Sequence, residues 1–125
     1  MLRLQRLVVL ALGIAAVPVL MAADTINLQL VQPNIGGAKN CVYGQGNYAV
    51  DPLNTFDKIL FFAEDTVTKQ QNSNTAFLPV NPPGTWNKTL QVVASTYDCW
   101  GRLYTKTVGG TVDVKDSNVI QATVQ

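Results

Sequence analysis

The side chains able to do chemistry in this 125-residue chain are eight carboxylates, two cysteines and ten aromatic rings; there is no histidine. The missing imidazole excludes serine–histidine and cysteine–histidine hydrolysis and most zinc sites, because it is the usual base at neutral pH and the commonest metal ligand. The carboxylates are Asp24, Asp51, Asp57, Glu64, Asp65, Asp98, Asp113 and Asp116. A pair such as Glu64 and Asp98 is of the type that hydrolyses glycosidic bonds. Nothing in the sequence brings these two together, and aspartates in such settings read as turn and surface residues. Asp51, Asp57 and Asp65 fall near loops, yet no D-x-D-x-D-G run marks a calcium loop. Gly36-Gly37 and Gly109-Gly110 lack the strand–glycine–helix setting of a phosphate cradle. No catalytic residue, metal ligand or cofactor is assigned, and the chain reads as a non-enzyme.

Aromatic residues are the better candidates for binding. Trp100 stands between Cys99 and Gly101, with Tyr97 and Tyr104 close in sequence. Exposed rings of this kind pack on a protein partner or on the face of a sugar. The alternative is that Trp100 folds back over the core and the tyrosines close it with their hydroxyls in water. Trp86, immediately ahead of a strongly alternating segment, reads as core. Asn87-Lys88-Thr89 is a glycosylation sequon, relevant only in a eukaryotic secretory pathway.

These side chains need a scaffold, and the first segment is not part of it. Residues 1–23 have the three parts of a secretory signal: Arg3 and Arg6, an apolar run from Leu7 to Leu20, and small residues at Ala22 and Ala23. Cleavage there leaves residues 24–125 with seven basic and eight acidic residues, a net charge of −1. No basic run remains, so nucleic acid and anionic membranes are poor partners. Export places Cys41 and Cys99 in an oxidising compartment, where a disulfide is the expected fate. An intrachain bridge is the simplest outcome; an intermolecular bridge and two free thiols are the alternatives.

Past residue 24 the apolar period is two, not 3.6. Ile26, Leu28 and Leu30 alternate with polar residues and predict a first strand with one buried face. Residues 41–50 predict a weaker second strand, whose Gly44 and Gly46 mark a bulge or a close approach. Residues 58–63 predict a third, with Ile59 and Phe61 on one face and Leu60 and Phe62 on the other. Residues 69–87 read as a long connection with a short edge strand at 76–80. Leu90, Val92, Ala94 and Thr96 alternate, Asp98-Cys99-Trp100-Gly101 reads as a turn, and 103–108 returns, so residues 89–108 predict a hairpin. A strand resumes at 111–114, and 115–125 is a C-terminal strand or flexible tail. About seven short strands in one domain predict an all-β antiparallel sandwich, with a small barrel as the alternative.

The order of motifs resembles a bacterial immunoglobulin-like domain. The similarity is carried by the first strand ending at Pro33 before glycines, by Val42-Tyr43-Gly44, and by the run from Lys58 through Ile59-Leu60-Phe61-Phe62 to Asp65. It is carried further by Leu90 to Ala94, Asp98 to Gly101, and Val112-Asp113-Val114. The resemblance spans roughly residues 25–114 and implies an Ig-like β-sandwich over 24–114, used as a secreted structural or binding module. The function expected is protein contact at a cell surface or in an extracellular assembly, with a protein partner or self-association. The alternative is a small carbohydrate-binding module built on aromatics near Trp100.

Overall fold

The computed structural model describes residues 23–125; of the expected signal segment only Ala23 is among them. The all-β expectation holds. Among the described residues nine strands form: β1 (Thr25–Ile26), β2 (Leu30–Pro33), β3 (Cys41–Ala49), β4 (Thr55–Asp65), β5 (Gln71–Thr75), β6 (Thr85–Gln91), β7 (Ser95–Lys106), β8 (Val112–Asp116) and β9 (Ile120–Val124). They make two antiparallel sheets. In the first, β1 and β2 lie in line along one side of β3, and β6 pairs with its other side. In the second the order is β5-β4-β7, and β8 and β9 share the far side of β7. Each sheet therefore has one interrupted edge, and nine segments trace seven lines of chain.

The core between the sheets is one cluster. Trp86, Tyr97, Phe61, Ile59, Leu103 and Val42 are its largest fully buried members. Trp86 sits at its centre, 5.8 Å from Phe61 between ring centroids, with its indole N–H donating to the Asn27 carbonyl at 3.2 Å. The glycines of β3 mark close approach rather than a bulge. A Cβ on Gly44 would collide with the Phe61 ring, and one on Gly46 would collide with the Asn27 carbonyl. The bulge lies in β4, where the register shifts between Phe56 and Lys58. The extra residue, Asp57, lets both Phe56 and Ile59 join the core although they are three apart.

Several local expectations are corrected. The first strand breaks at 27–29, where the backbone N–H groups of Asn27 and Gln29 still reach the Asn47 and Gln45 carbonyls at 2.9 Å. The break shifts the inward phase, so Leu28 is buried and Leu30 exposed. At this level the Asn118 side chain bonds both backbone groups of Leu28 at 2.9 Å, joining the interrupted edges of the two sheets. The hairpin over 89–108 does not form. β6 ends at Gln91, residues 92–94 cross between sheets, and Asp98 to Gly101 lie in mid-strand on β7. A four-residue string of turn-forming types is overridden because its alternate members, Cys99 and Gly101, fit the core. Within the long connection, residues 71–75 form β5, too polar to show an apolar alternation.

Candidate functional site

Strand β7 sorts the candidate residues by parity. Odd residues Tyr97, Cys99, Leu103 and Thr105 face the core, and Gly101 lies between them under Trp86. Even residues Asp98, Trp100, Arg102 and Tyr104 face outward from the four-line sheet. Cross-strand register completes that outer face: Phe62 lies opposite Trp100, Leu60 opposite Arg102, Lys58 opposite Tyr104, and Val114 beyond Tyr104.

The rings and cations of this face are mutually ordered. Trp100 stacks parallel on Phe62 at 5.1 Å between centroids. The Arg102 guanidinium lies 4.8 Å from the Phe62 centroid, and Lys58 Nζ lies 5.0 Å from that of Tyr104. Asp116 accepts from Arg102 Nε at 2.6 Å and from Nη2 at 3.1 Å, a two-point clamp that fixes the plane of the guanidinium. That hydrogen bond holds the Arg102 charge well above its ordinary range. The Trp100 indole N–H is buried in this packing and has no hydrogen-bond partner among the described residues.

Trp100 and Tyr104 thus share one face, whereas Tyr97 lies on the other. Tyr97 is 1% exposed, and its hydroxyl donates to the Val93 carbonyl at 2.7 Å, closing the crossing from β6 to β7. Burial, then the Asp65 charge, push its phenol above the ordinary value. It therefore braces the fold and is no part of an exposed platform.

The expected disulfide is absent: both cysteines are free and fully buried. The reason is the phase of β3. Val42 faces the core opposite Leu90, so Cys41, opposite the exposed Gln91, faces the other side of the sheet. Cys99 belongs to the core cluster and Cys41 does not. Burial, with the Asp98 charge as a second cause, pushes the Cys99 thiol up to about 12, so it stays protonated and unreactive at neutral pH.

The carboxylates serve different ends. Asp24 and Asp65 hold backbone. Asp24 accepts from Asp51 N–H, from the Asn54 amide and from the Thr105 hydroxyl, at 2.8, 3.1 and 2.5 Å. Burial alone would raise its carboxyl, but these bonds and the Lys115 charge bring it below the ordinary 3.8. Asp65 accepts from Val67 and Thr68 N–H in the turn after β4. That turn borders an open depression of about 420 Å³ lined by Asn40, Asn72, Gln91 and Tyr97. Glu64 and Asp98, by contrast, are direct cross-strand partners on the outer face. Each accepts from a glutamine amide, Gln71 and Gln121 respectively, and the two like charges oppose each other. The calcium candidates do not gather: Asp57 and Asp65 are eight residues apart on one extended strand, and among the described residues no cluster of three or more potential ligands forms. Asn87 of the sequon is a half-buried mid-strand residue of β6.

Sequence reasoning did not single out Arg102 or pair Phe62 with Trp100. The available signal was the alternation of charged or aromatic residues with small or apolar ones from Asp98 to Lys106. Comparison of the chain with protein-family models, curated proteins and solved structures returns no match.

Proposed function

We propose that this chain is a secreted, non-enzymatic immunoglobulin-like module that makes protein contact through the outer face of its four-line sheet. The observation that carries the reading is the ordered stack of Trp100 on Phe62, flanked by Arg102 clamped to Asp116. Tryptophan, tyrosine and arginine dominate the energetics of protein interfaces, and pre-ordered side chains lose little entropy on docking. The other outer face is the poorer competitor: beside Tyr43 and the exposed Leu30 it is built of Gln32, Gln45, Asn87 and Thr89, with no stacked ring pair.

Two features support the immunoglobulin-like assignment. The first, second and fifth lines share one sheet, while the fourth, third, sixth and seventh share the other. This is the immunoglobulin constant-type layout with the fourth line moved across. Tyr97, two residues before Cys99, bonds back to a carbonyl four residues upstream, as a tyrosine corner does. The missing bridge between second and sixth lines is the departure.

A sugar-stacking module is the weaker reading. With Tyr97 buried, its platform reduces to Trp100 and Tyr104, about 13 Å apart along an extended strand. A photo-crosslinking residue at Ser73, on the aromatic face, should give a discrete protein adduct in the producing cells, whereas one at Thr89 should not. Equal or absent labelling from both positions overturns the reading. Glycan-array binding lost in Trp100→Ala, with the fold intact, would establish the sugar module instead.

A further inference from the structure

Among the described residues, the interrupted edge of the four-line sheet is closed at one end and open at the other. Along β9 it abuts β2, and Asn118 ties the break to Leu28. Along β8 it carries an exposed strand, Val112-Asp113-Val114-Lys115-Asp116, with both valines about half exposed. The bonds from Thr107 N–H to Thr111 O and from Ser117 N–H to Gly101 O bracket the β7–β8 ladder. By antiparallel alternation Asp113 and Lys115 spend their backbone groups on β7, and those of Val112, Val114 and Asp116 point to the open edge.

We propose that this edge binds a second copy of the chain, β8 to β8 and antiparallel, centred on Val114. The sequence of the strand is complementary to its own reverse. With Val114 opposite its counterpart, Asp113 of each copy faces Lys115 of the other. Those two ion pairs sit at non-hydrogen-bonded positions, where side chains approach most closely. The open backbone groups at 112, 114 and 116 fall at hydrogen-bonded positions, so the free donors and acceptors of both edges are satisfied together. The contact is isologous and closes at two copies. It makes one continuous eight-line sheet with the aromatic faces of both copies on the same side. The proposal does not rest on the function proposed for that face.

Sedimentation velocity of the purified protein tests it. Wild type is expected to dimerise. Lys115→Asp, which sets Asp113 against a carboxylate twice, is expected to weaken the dimer about tenfold or more. The exchanged double variant Asp113→Lys/Lys115→Asp restores the pairing and is expected to recover the dimer. Val114→Pro removes an N–H that faces the open edge and breaks no bond of the β7–β8 ladder, so it should give a folded monomer by circular dichroism. Trp100→Ala should dimerise as wild type does. A monomeric wild type, a dimer indifferent to Lys115→Asp, or a folded double variant that stays monomeric overturns the proposal.

Discussion

The two faces of β7 are made of neighbouring residues and do opposite work. Inward, Tyr97, Cys99, Leu103 and Thr105 meet Trp86, Phe61 and Asp24 with almost no water contact. Outward, Trp100, Arg102 and Tyr104 are half-exposed, and their order comes from one another and from Phe62, Lys58 and Asp116. A change of one residue in position is thus a change from stability to surface. The lesson is that a strand's period of two lets a small domain carry an ordered aromatic face on the back of its own core.

Substitutions at adjacent positions should break the comparison in opposite ways. Leu103→Ala, in the core, is expected to cost about 2–5 kcal/mol in denaturant unfolding. Arg102→Ala beside it removes a part-exposed ion pair and should cost about 1 kcal/mol or less. Equal losses would mean that the parity is wrong. Gly101→Ala places a Cβ 2.7 Å from Trp86 Cζ2 and should destabilise by about 1–3 kcal/mol through overpacking. Tyr97→Phe removes the hydroxyl's bond to the Val93 carbonyl and should cost about 1 kcal/mol by thermal unfolding.

Acid titration probes the inner end of β7, where Thr105 meets Asp24. The folded Asp24 carboxyl lies below the ordinary 3.8, so its contribution is complete above that value and is lost as pH falls through the lower folded value. Stability measured from pH 6 to pH 2 should fall in this window, and Asp24→Asn should flatten the fall while lowering stability at neutral pH. On the outer face the effects are smaller. Trp100→Phe keeps a ring on Phe62 and removes a buried unpartnered N–H, so stability should change by less than about 1 kcal/mol in either direction. Asp98→Asn relieves the charge opposite Glu64 and should stabilise by a few tenths of a kcal/mol, about 0.5 at most.

Much of the fold was legible where apolar residues alternate with polar ones. Ile59 and Phe61 against Leu60 and Phe62 gave both faces of β4, and Trp86 was readable as core from its place before Leu90. Two kinds of segment were not legible. Strand β5, Gln-Asn-Ser-Asn-Thr, has no apolar period because it is an edge strand that buries none of its side chains and is held by its ladder to β4. The string Asp98 to Gly101 was misread because turn propensity is local, while the core contacts of Cys99 and Gly101 come from strands far away in sequence. The aromatic face inherited that error: a tryptophan at a hairpin tip and a tryptophan in mid-strand have different neighbours. Phe62 and Arg102 become visible beside Trp100 only once the β4–β7 register is known. The cysteines show the same limit, since spacing allows a bridge and only the phase of β3 prevents it.

That phase is open to one direct measurement. Thiols of the non-reduced protein are titrated with Ellman's reagent, first in native buffer and then in denaturant. With Cys41 and Cys99 free, buried and on opposite sides of their sheets' packing, no thiol should react in native buffer and two should react on unfolding. No reactive thiol in denaturant would reveal a disulfide, and rapid native reaction would expose a cysteine; either result contradicts the placement of residues on β3 and β7.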